Sequence, residues 1–330
     1  MKEPPKVVGQ ILETIRQHQT FCVVGHIRPD GDCIGSTLAL TLALQAEGKD
    51  VVCWNQDPVP AKLKFLDPER IVHQPKSGQQ FDCVIAVDSA SFERIGTVSD
   101  DIASRQVLIN IDHHTSNTVY GDINWVSAKE ASSGELITKL IRHAGWKLTP
   151  QIANCLFAAV STDTGSFQYG STKPETFETA ADLVEAGADL GAVCHEVYHS
   201  HPLSRVRLLR HLYSKFKLTA NDRIAYCWLR KRDFSRAGAE REEAEGLIDK
   251  LREMEPVIAA CIFEEMEPEL TRVSFRSKDD RIDVNAVAQQ FGGGGHKSAA
   301  GARIEGTQLA VQRRVVATLR RALKAGLKKG

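Results

Sequence analysis

This chain predicts an α/β fold in two parts, an N-terminal doubly wound, mainly parallel sheet and a smaller C-terminal α/β domain. Three observations carry that expectation. Short runs rich in Val and Ile alternate with stretches of helical spacing. The runs are almost unbroken by polar residues, as strands buried on both faces are. Finally, 330 residues are too many for one compact core and suit two domains.

The strands of the first part are "TFCVVG" (20–25), "DVVCWN" (50–55), "FDCVIAVD" (81–88) and "VLINID" (107–112). Helices are expected at "IGSTLALTLALQAEG" (34–48), "SSGELITKLIRHAG" (132–145) and "PQIANCLFAAVSTDTG" (150–165), each ending near glycine. Helical patterns continue through "KPETFETAADLVEAGAD" and "SRVRLLRHLYSKF" with no Pro/Gly/Ser-rich spacer. The expected division is therefore a first domain at 1–190, a helical linker at 191–215 and a second domain at 216–330. The last has strands at "RIAYCWL" (223–229), "PVIAACIFEE" (256–265) and "TRVSFRS" (271–277), and helices near 239–253, 283–290 and 307–326.

Composition narrows the class. Hydrophobic content of 42% and charged content of 25% are those of a soluble globular protein. No run approaches the roughly 20 apolar residues of a membrane span, and "MKEPPKVVGQ" lacks a secretory pattern. The eight cysteines form no C-x-x-C pair, which points to buried free thiols in a reducing compartment, the cytoplasm. Net charge is zero, yet residues 1–215 carry −5 and residues 216–330 carry +5. An acidic half gathers cations and a basic half gathers anions.

The chemistry concentrates where apolar runs end. "VGHIRPDGDCIGS" places His26, Asp30 and Asp32 after the first run. The third run ends at Asp88, the fourth at Asp112, His113 and His114, and the helix from 150 delivers Asp163. Taken alone, each has a structural explanation: a turn at Asp30-Gly31, a cap or turn at Asp88, a helix-end turn at Asp163, a scaffold hydrogen bond at His113. In an open α/β sheet, however, ligands bind beyond the carboxyl ends of the strands, so these clusters converge. Five Asp and three His form a hard, oxygen-rich set with some imidazole. That favours Mn²⁺, then Mg²⁺ or Fe²⁺, and structural zinc least. Two ions roughly 3.5–4 Å apart, bridged by a carboxylate and a water, would use the whole set. The expected reaction is metal-assisted phosphoester hydrolysis.

In the second domain, "GGGGHK" (292–297) lets backbone N–H groups approach a phosphate, with His296 and Lys297 adding donors; a flexible loop is the competing reading. Arg276 ends a strand, where a guanidinium can grip phosphate bidentately. Ser277, Gly294 and Gly295 complete the expected substrate contacts. The histidines of "EVYHSHP" read as linker packing, and the basic terminal helix as a solvated face.

"HIRPDGDCIGS", "VDSA", "DHH" and "STDTGSF", followed by "FGGGGHKSAAG", resemble the ordered motifs of the DHH phosphoesterase family and its associated C-terminal domain. The likeness runs from residue 24 to 301 and is greatest to the two-domain oligoribonuclease (nanoRNase) and 3′-phosphoadenosine 5′-phosphate (pAp) phosphatase type. It implies His26, Asp30 and Asp88 on one metal, and Asp32, Asp88, His113 and Asp163 on the other. It further implies His114 facing the substrate phosphate, Asp112 orienting the histidines, and Arg276 and His296 on the nucleotide. Gly31 and Gly35 would let the backbone turn tightly around the metal, and Gly35-Ser36 would open a helix. The implied partners are short RNA or nucleotide substrates and a second copy in a homodimer. Expected alternatives are a cyclic-dinucleotide phosphodiesterase, a RecJ-like single-strand exonuclease, a pyrophosphatase of related fold, and a non-catalytic nucleotide sensor that would have lost metal ligands. A cleft closed between the two domains would limit substrates to a few nucleotides.

Overall fold

The computed structural model describes residues 5–327 and divides into two compact units, one ending at Ser200 and the other beginning at His201. In the first unit, helix α1 (Lys6–Gln17) precedes six strands: β1 (Thr20–Val24), β2 (Asp50–Trp54), β3 (Val72–His73), β4 (Phe81–Val87), β5 (Arg105–Asp112) and β6 (Ile123–Val126). They pair in the order β3-β2-β1-β4-β5-β6, and every pairing is parallel. The order reverses between β1 and β4, which opens a crevice at their carboxyl ends. Helix α2 (Gly31–Ala46) lies between β1 and β2, and α3 (Ser133–Ala144), α4 (Pro150–Asp163) and α5 (Pro174–Glu185) follow β6.

Phe21, Val23, Ile85 and Ile111 pack with Ile34, Leu38, Leu140 and Leu156 on one face of the sheet. Cys22, Val24, Val84, Ala86 and Leu108 point to the other face, beside Ile95 and Ile102. Burial on both faces explains the unbroken apolar runs. All eight cysteines are free thiols, seven of them buried.

Two local expectations change. Helix α2 begins at Gly31, not near Gly35, because the Asp30 side chain caps it by accepting from the amides of Asp32 and Cys33, each at 3.1 Å. Neither glycine makes a turn. A Cβ on Gly31 would lie 2.4 Å from Thr162 Oγ1, and one on Gly35 would lie 2.3 Å from the Cys155 carbonyl oxygen. Both glycines therefore serve the close approach of α2 to α4.

The stretch 191–215 is divided between the units. Leu190–His199 is helical and adds Val193 and Val197 to the first core, whereas α6 (Leu203–Lys215) adds Leu208 and Leu212 to the second unit. The second sheet runs β11 (Gly294–Gly295), β12 (Ala299–Glu305), β10 (Leu270–Ser277), β9 (Ala259–Glu267), β8 (Ile224–Leu229) and β7 (Lys217–Thr219). Only β8 and β9 pair in parallel among these described strands. The helix expected at 239–253 is broken: Gly246 adopts φ +73° between a 3-10 turn at Arg241–Ala244 and a short helix at Leu247–Arg252. Helices α7 (Val284–Gln289) and α8 (Gln308–Gly326) complete the unit. Among the described residues, no helix is long and apolar enough to cross a membrane.

Candidate metal centre

The chain's alternation of strand and helix brings the acidic and histidine residues to the carboxyl ends of the central strands β1, β4 and β5. His26 lies two residues beyond β1, Asp88 directly follows β4, and Asp112 ends β5 with His113 and His114 behind it. Asp163 is the last residue of α4. Asp88 takes φ +57°, a left-handed conformation that Asp tolerates better than most residues. Such backbone is held only where the surroundings impose it.

The distances describe two clusters sharing Asp88. His26 Nε2 lies 3.4 Å from Asp88 Oδ2 and 3.7 Å from Asp30 Oδ2. His113 Nε2 lies 3.6 Å from Asp88 Oδ1, 3.3 Å from Asp163 Oδ2 and 3.8 Å from Asp32 Oδ2. His26 is oriented by its other ring nitrogen, 2.9 Å from the Ile27 carbonyl oxygen. Asp32 is 1% exposed and accepts from the amides of Ser133 at 2.7 Å and Gly134 at 2.8 Å, and from Ser36 Oγ at 2.9 Å. Ser133 Oγ also donates to Asp88 Oδ1 at 3.0 Å. Helix α3 thus presents its N-terminus to Asp32, where backbone N–H groups favour negative charge.

Electrostatics make this a site in need of positive charge. Burial, then the charges of Asp88 and Asp163, holds the Asp32 carboxyl well above its usual range. Burial and the charges of Asp88 and Asp30 bring Asp163 to about 8. Burial lowers the pKa of His113, keeping a neutral imidazole whose Nε2 is buried without a hydrogen-bond partner. A neutral imidazole nitrogen among three carboxylates is the arrangement a cation completes. His26 responds in the other direction. Burial would lower its pKa, but Asp30 and Asp88 outweigh that and raise it to about 10.

His114 lies against the same carboxylate, its Nδ1 3.7 Å from Asp88 Oδ1, and forms a third group with Asp88 and His113. Its Nδ1 lies 2.8 Å from Asp112 Oδ1, and this contact with the nearby Asp88 charge overcomes burial to raise its pKa to about 9. Asp112 is fully buried, and Asn117 Nδ2 donates to its second oxygen at 2.6 Å.

The first unit therefore brings together all eight residues expected there. It also recruits Ser36, Ser133, Gly134 and Asn117, which sequence reasoning missed. "SSGE" has the sequence pattern of a capping box, of which Ser132 makes its half by accepting from Glu135 N at 3.2 Å, and could have flagged an N-terminus with amides to offer. Cys33 falls in the His26–Asp88 cluster. Burial raises its thiol pKa well above the ordinary value, and its Sγ lies 3.8 Å from the His26 carbonyl oxygen.

In the second unit, Arg276 pairs across from Ala299, and the turn from His296 to Ala299 closes the same end of the sheet. Arg276 Nη1 donates to the Phe275 carbonyl at 3.0 Å. Ser277 reaches the same strand end but is 1% exposed, and its hydroxyl donates to the Asp279 carbonyl at 2.6 Å. Gly294 and Gly295 pair with Gly301 and Ala300, so this part of the glycine run is tied into the sheet. His296 is exposed, and Lys297 Nζ lies 3.0 Å from Asp280 Oδ1.

Comparison with known proteins shows the family to which the chain belongs. Residues 20–160 match the DHH family, N-terminal domain, and residues 221–325 match the DHHA1 domain. The chain is 30% identical to the bifunctional oligoribonuclease and PAP phosphatase NrnA of Thermus thermophilus, over 93% of this chain and 90% of that protein. It is 29% identical to the NrnA of Bacillus subtilis, over 89% and 92%. An exopolyphosphatase-related protein from Bacteroides fragilis superposes with a TM-score of 0.89 at 25% identity, over 98% of both chains. The chain belongs to the DHH family and is a hydrolytic phosphoesterase.

Proposed function

We propose that this phosphoesterase hydrolyses short oligoribonucleotides, including linear dinucleotides, and pAp, with two divalent cations of which Mn²⁺ suits the donors best. The observation that carries the reading is the buried, unpartnered Nε2 of His113 among Asp32, Asp88 and Asp163. The donor set is oxygen-rich with imidazole, which fits Mn²⁺ and also accommodates Mg²⁺ or Fe²⁺. His26, Asp30 and Asp88 would hold one ion; Asp32, Asp88, His113 and Asp163 would hold the other. Such a pair supplies an acidified water and neutralises charge on phosphoryl oxygens. The two NrnA relatives named above support the substrate class.

The chain's own residues divide the remaining work. Asp88 offers Oδ2 toward His26 and Oδ1 toward His113, so one carboxylate serves both clusters. His114 spends Nδ1 on Asp112, which leaves Nε2 to donate to a substrate phosphate. Asp112 raises the pKa of that imidazole in the metal-free protein, and Asn117 keeps Asp112 in place. Arg276 and His296 would grip the nucleotide. Free, buried cysteines suit a reducing compartment, the cytoplasm.

The test is a Mn²⁺-supplemented assay over pAp, pGpG, cyclic dinucleotides and RNAs of graded length. The expected profile is turnover of pAp and of linear dinucleotides to tetranucleotides, with kcat/KM falling for a 24-mer. Preferential opening of cyclic dinucleotides, or processive digestion of a single-stranded DNA 24-mer, would replace this reading.

A further inference from the structure

Helix α8 carries Arg313, Arg314, Arg320, Arg321 and Lys324 and no acidic residue. Its basic groups therefore have no i,i+4 carboxylate to neutralise them. Arg313, Arg314 and Arg321 line a cavity of about 440 Å³ together with Gln290 and Phe291 at the end of α7. No carboxylate lines it, and none of the three arginines forms an ion pair among the described residues. Two of them are held in place by other contacts. The Arg314 guanidinium sits 5.6 Å from the Phe291 ring centroid, and Arg321 Nη2 donates to Thr318 Oγ1 at 3.0 Å. Elsewhere in this unit Arg241, Arg252 and Arg281 have carboxylates within 4.0 Å.

We propose that this groove is a second phosphate-binding site on the C-terminal unit, one that takes backbone phosphates of an RNA strand. It is separate from the expected contacts, since Arg276, Gly294, Gly295, His296 and Lys297 do not line it. The volume admits roughly one nucleotide. Planar guanidiniums match phosphate oxygens bidentately, and a stacked arginine over an aromatic ring is a common element of strand-binding surfaces. The groove contacts no metal ligand, so it contributes affinity and no chemistry. This inference rests on the RNA substrate class proposed above. It adds that binding keeps strengthening with strand length beyond the length at which turnover peaks.

The test uses the full chain in EDTA, a fluorescent RNA 8-mer, and anisotropy across a salt series. R313A/R321A should weaken binding about 10-fold and lower the log–log salt slope by about 1.4, the value for two lost contacts to single-stranded RNA. Both positions are exposed, so folding should be unaffected; R313E/R321E should weaken binding further. With Mn²⁺ restored, the neutral double variant should hydrolyse a dinucleotide within twofold of the parent rate. Unchanged 8-mer affinity and slope would overturn the site. Affinity for anionic lipid vesicles lost in the variant while RNA affinity stays would also overturn it. Failure of the parent chain to cleave any RNA would instead overturn the proposed substrate class.

Discussion

Asp32, Asp88 and Asp112 in the N-terminal unit are at most 2% exposed and His26 is 4% exposed, whereas His296, Lys297, Arg313 and Arg321 in the C-terminal unit remain at the surface. Burying several carboxylates together is unfavourable unless a cation or strong donors compensate. The first unit supplies donors from Ser36, Ser133 and Gly134, yet still leaves His113 Nε2 without a partner. Exposed cations cost little to maintain and wait for an anion. The contrast separates two kinds of site: one assembled around an ion, and one that only meets its ligand. Substitutions in the first should change metal content and rate, and those in the second should change affinity.

The largest effect is expected at Asp88. Asp88→Asn keeps a residue that tolerates the positive φ but removes the shared charge. Turnover should fall by more than the roughly 10²–10⁴-fold that one acid–base group contributes, and metal content should fall with it. Near-normal turnover at saturating Mn²⁺ would break the comparison at its root. His114→Ala should keep its metal, measured by elemental analysis, while losing about 10²-fold or more in kcat. Loss of metal in that variant would move His114 into the ligand set.

The C-terminal substitutions come next. Arg276→Ala and His296→Ala should raise KM for pAp about 10- to 100-fold, the range for a lost charge-assisted hydrogen bond, and spare metal content. A generic aryl phosphodiester should be cleaved nearly as before. Equal losses on both substrates would mean a damaged fold or metal centre.

The smallest effect is thermal. In metal-free protein the Asp163 pKa is about 8, above its unfolded value, so its contribution is full below the unfolded pKa and fades as pH rises toward 8. His26 at about 10 and His114 at about 9 likewise contribute below their unfolded values and fade as pH rises through the folded ones. Tm in EDTA should therefore be lower at pH 8 than at pH 6. Mn²⁺, which competes with protons for Asp163 and His26, should raise Tm more at pH 8. One kcal/mol corresponds to roughly 2–4 °C in domains of this size. A larger Mn²⁺ effect at pH 6 would contradict the electrostatic account.

Much of the first unit is legible in the sequence because long apolar runs stop abruptly at acids and histidines. Helix α2's true start is harder to see, since Asp30 both caps the helix and faces His26. The Ser133 amide is 101 residues from Asp32, a distance no local pattern crosses. Strand β3 has two residues, too few for any periodicity, and β6 has four. In the second unit, Gly246 breaks a helical pattern that looks continuous, because a positive φ leaves no trace in hydrophobic spacing. The Arg313–Arg321 groove reads from sequence as a solvated helix face; only the packing of Phe291 beside it reveals a cavity.

The central claim is that Asp88 is shared by two cations, and the most direct measurement is the number of Mn²⁺ ions bound per chain at saturation, by calorimetry on the full protein. The account predicts two for the parent chain and fewer than two for Asp88→Asn, with turnover of pAp rising as the second ion binds. A saturating stoichiometry of one with full turnover, or two in both proteins, would contradict it.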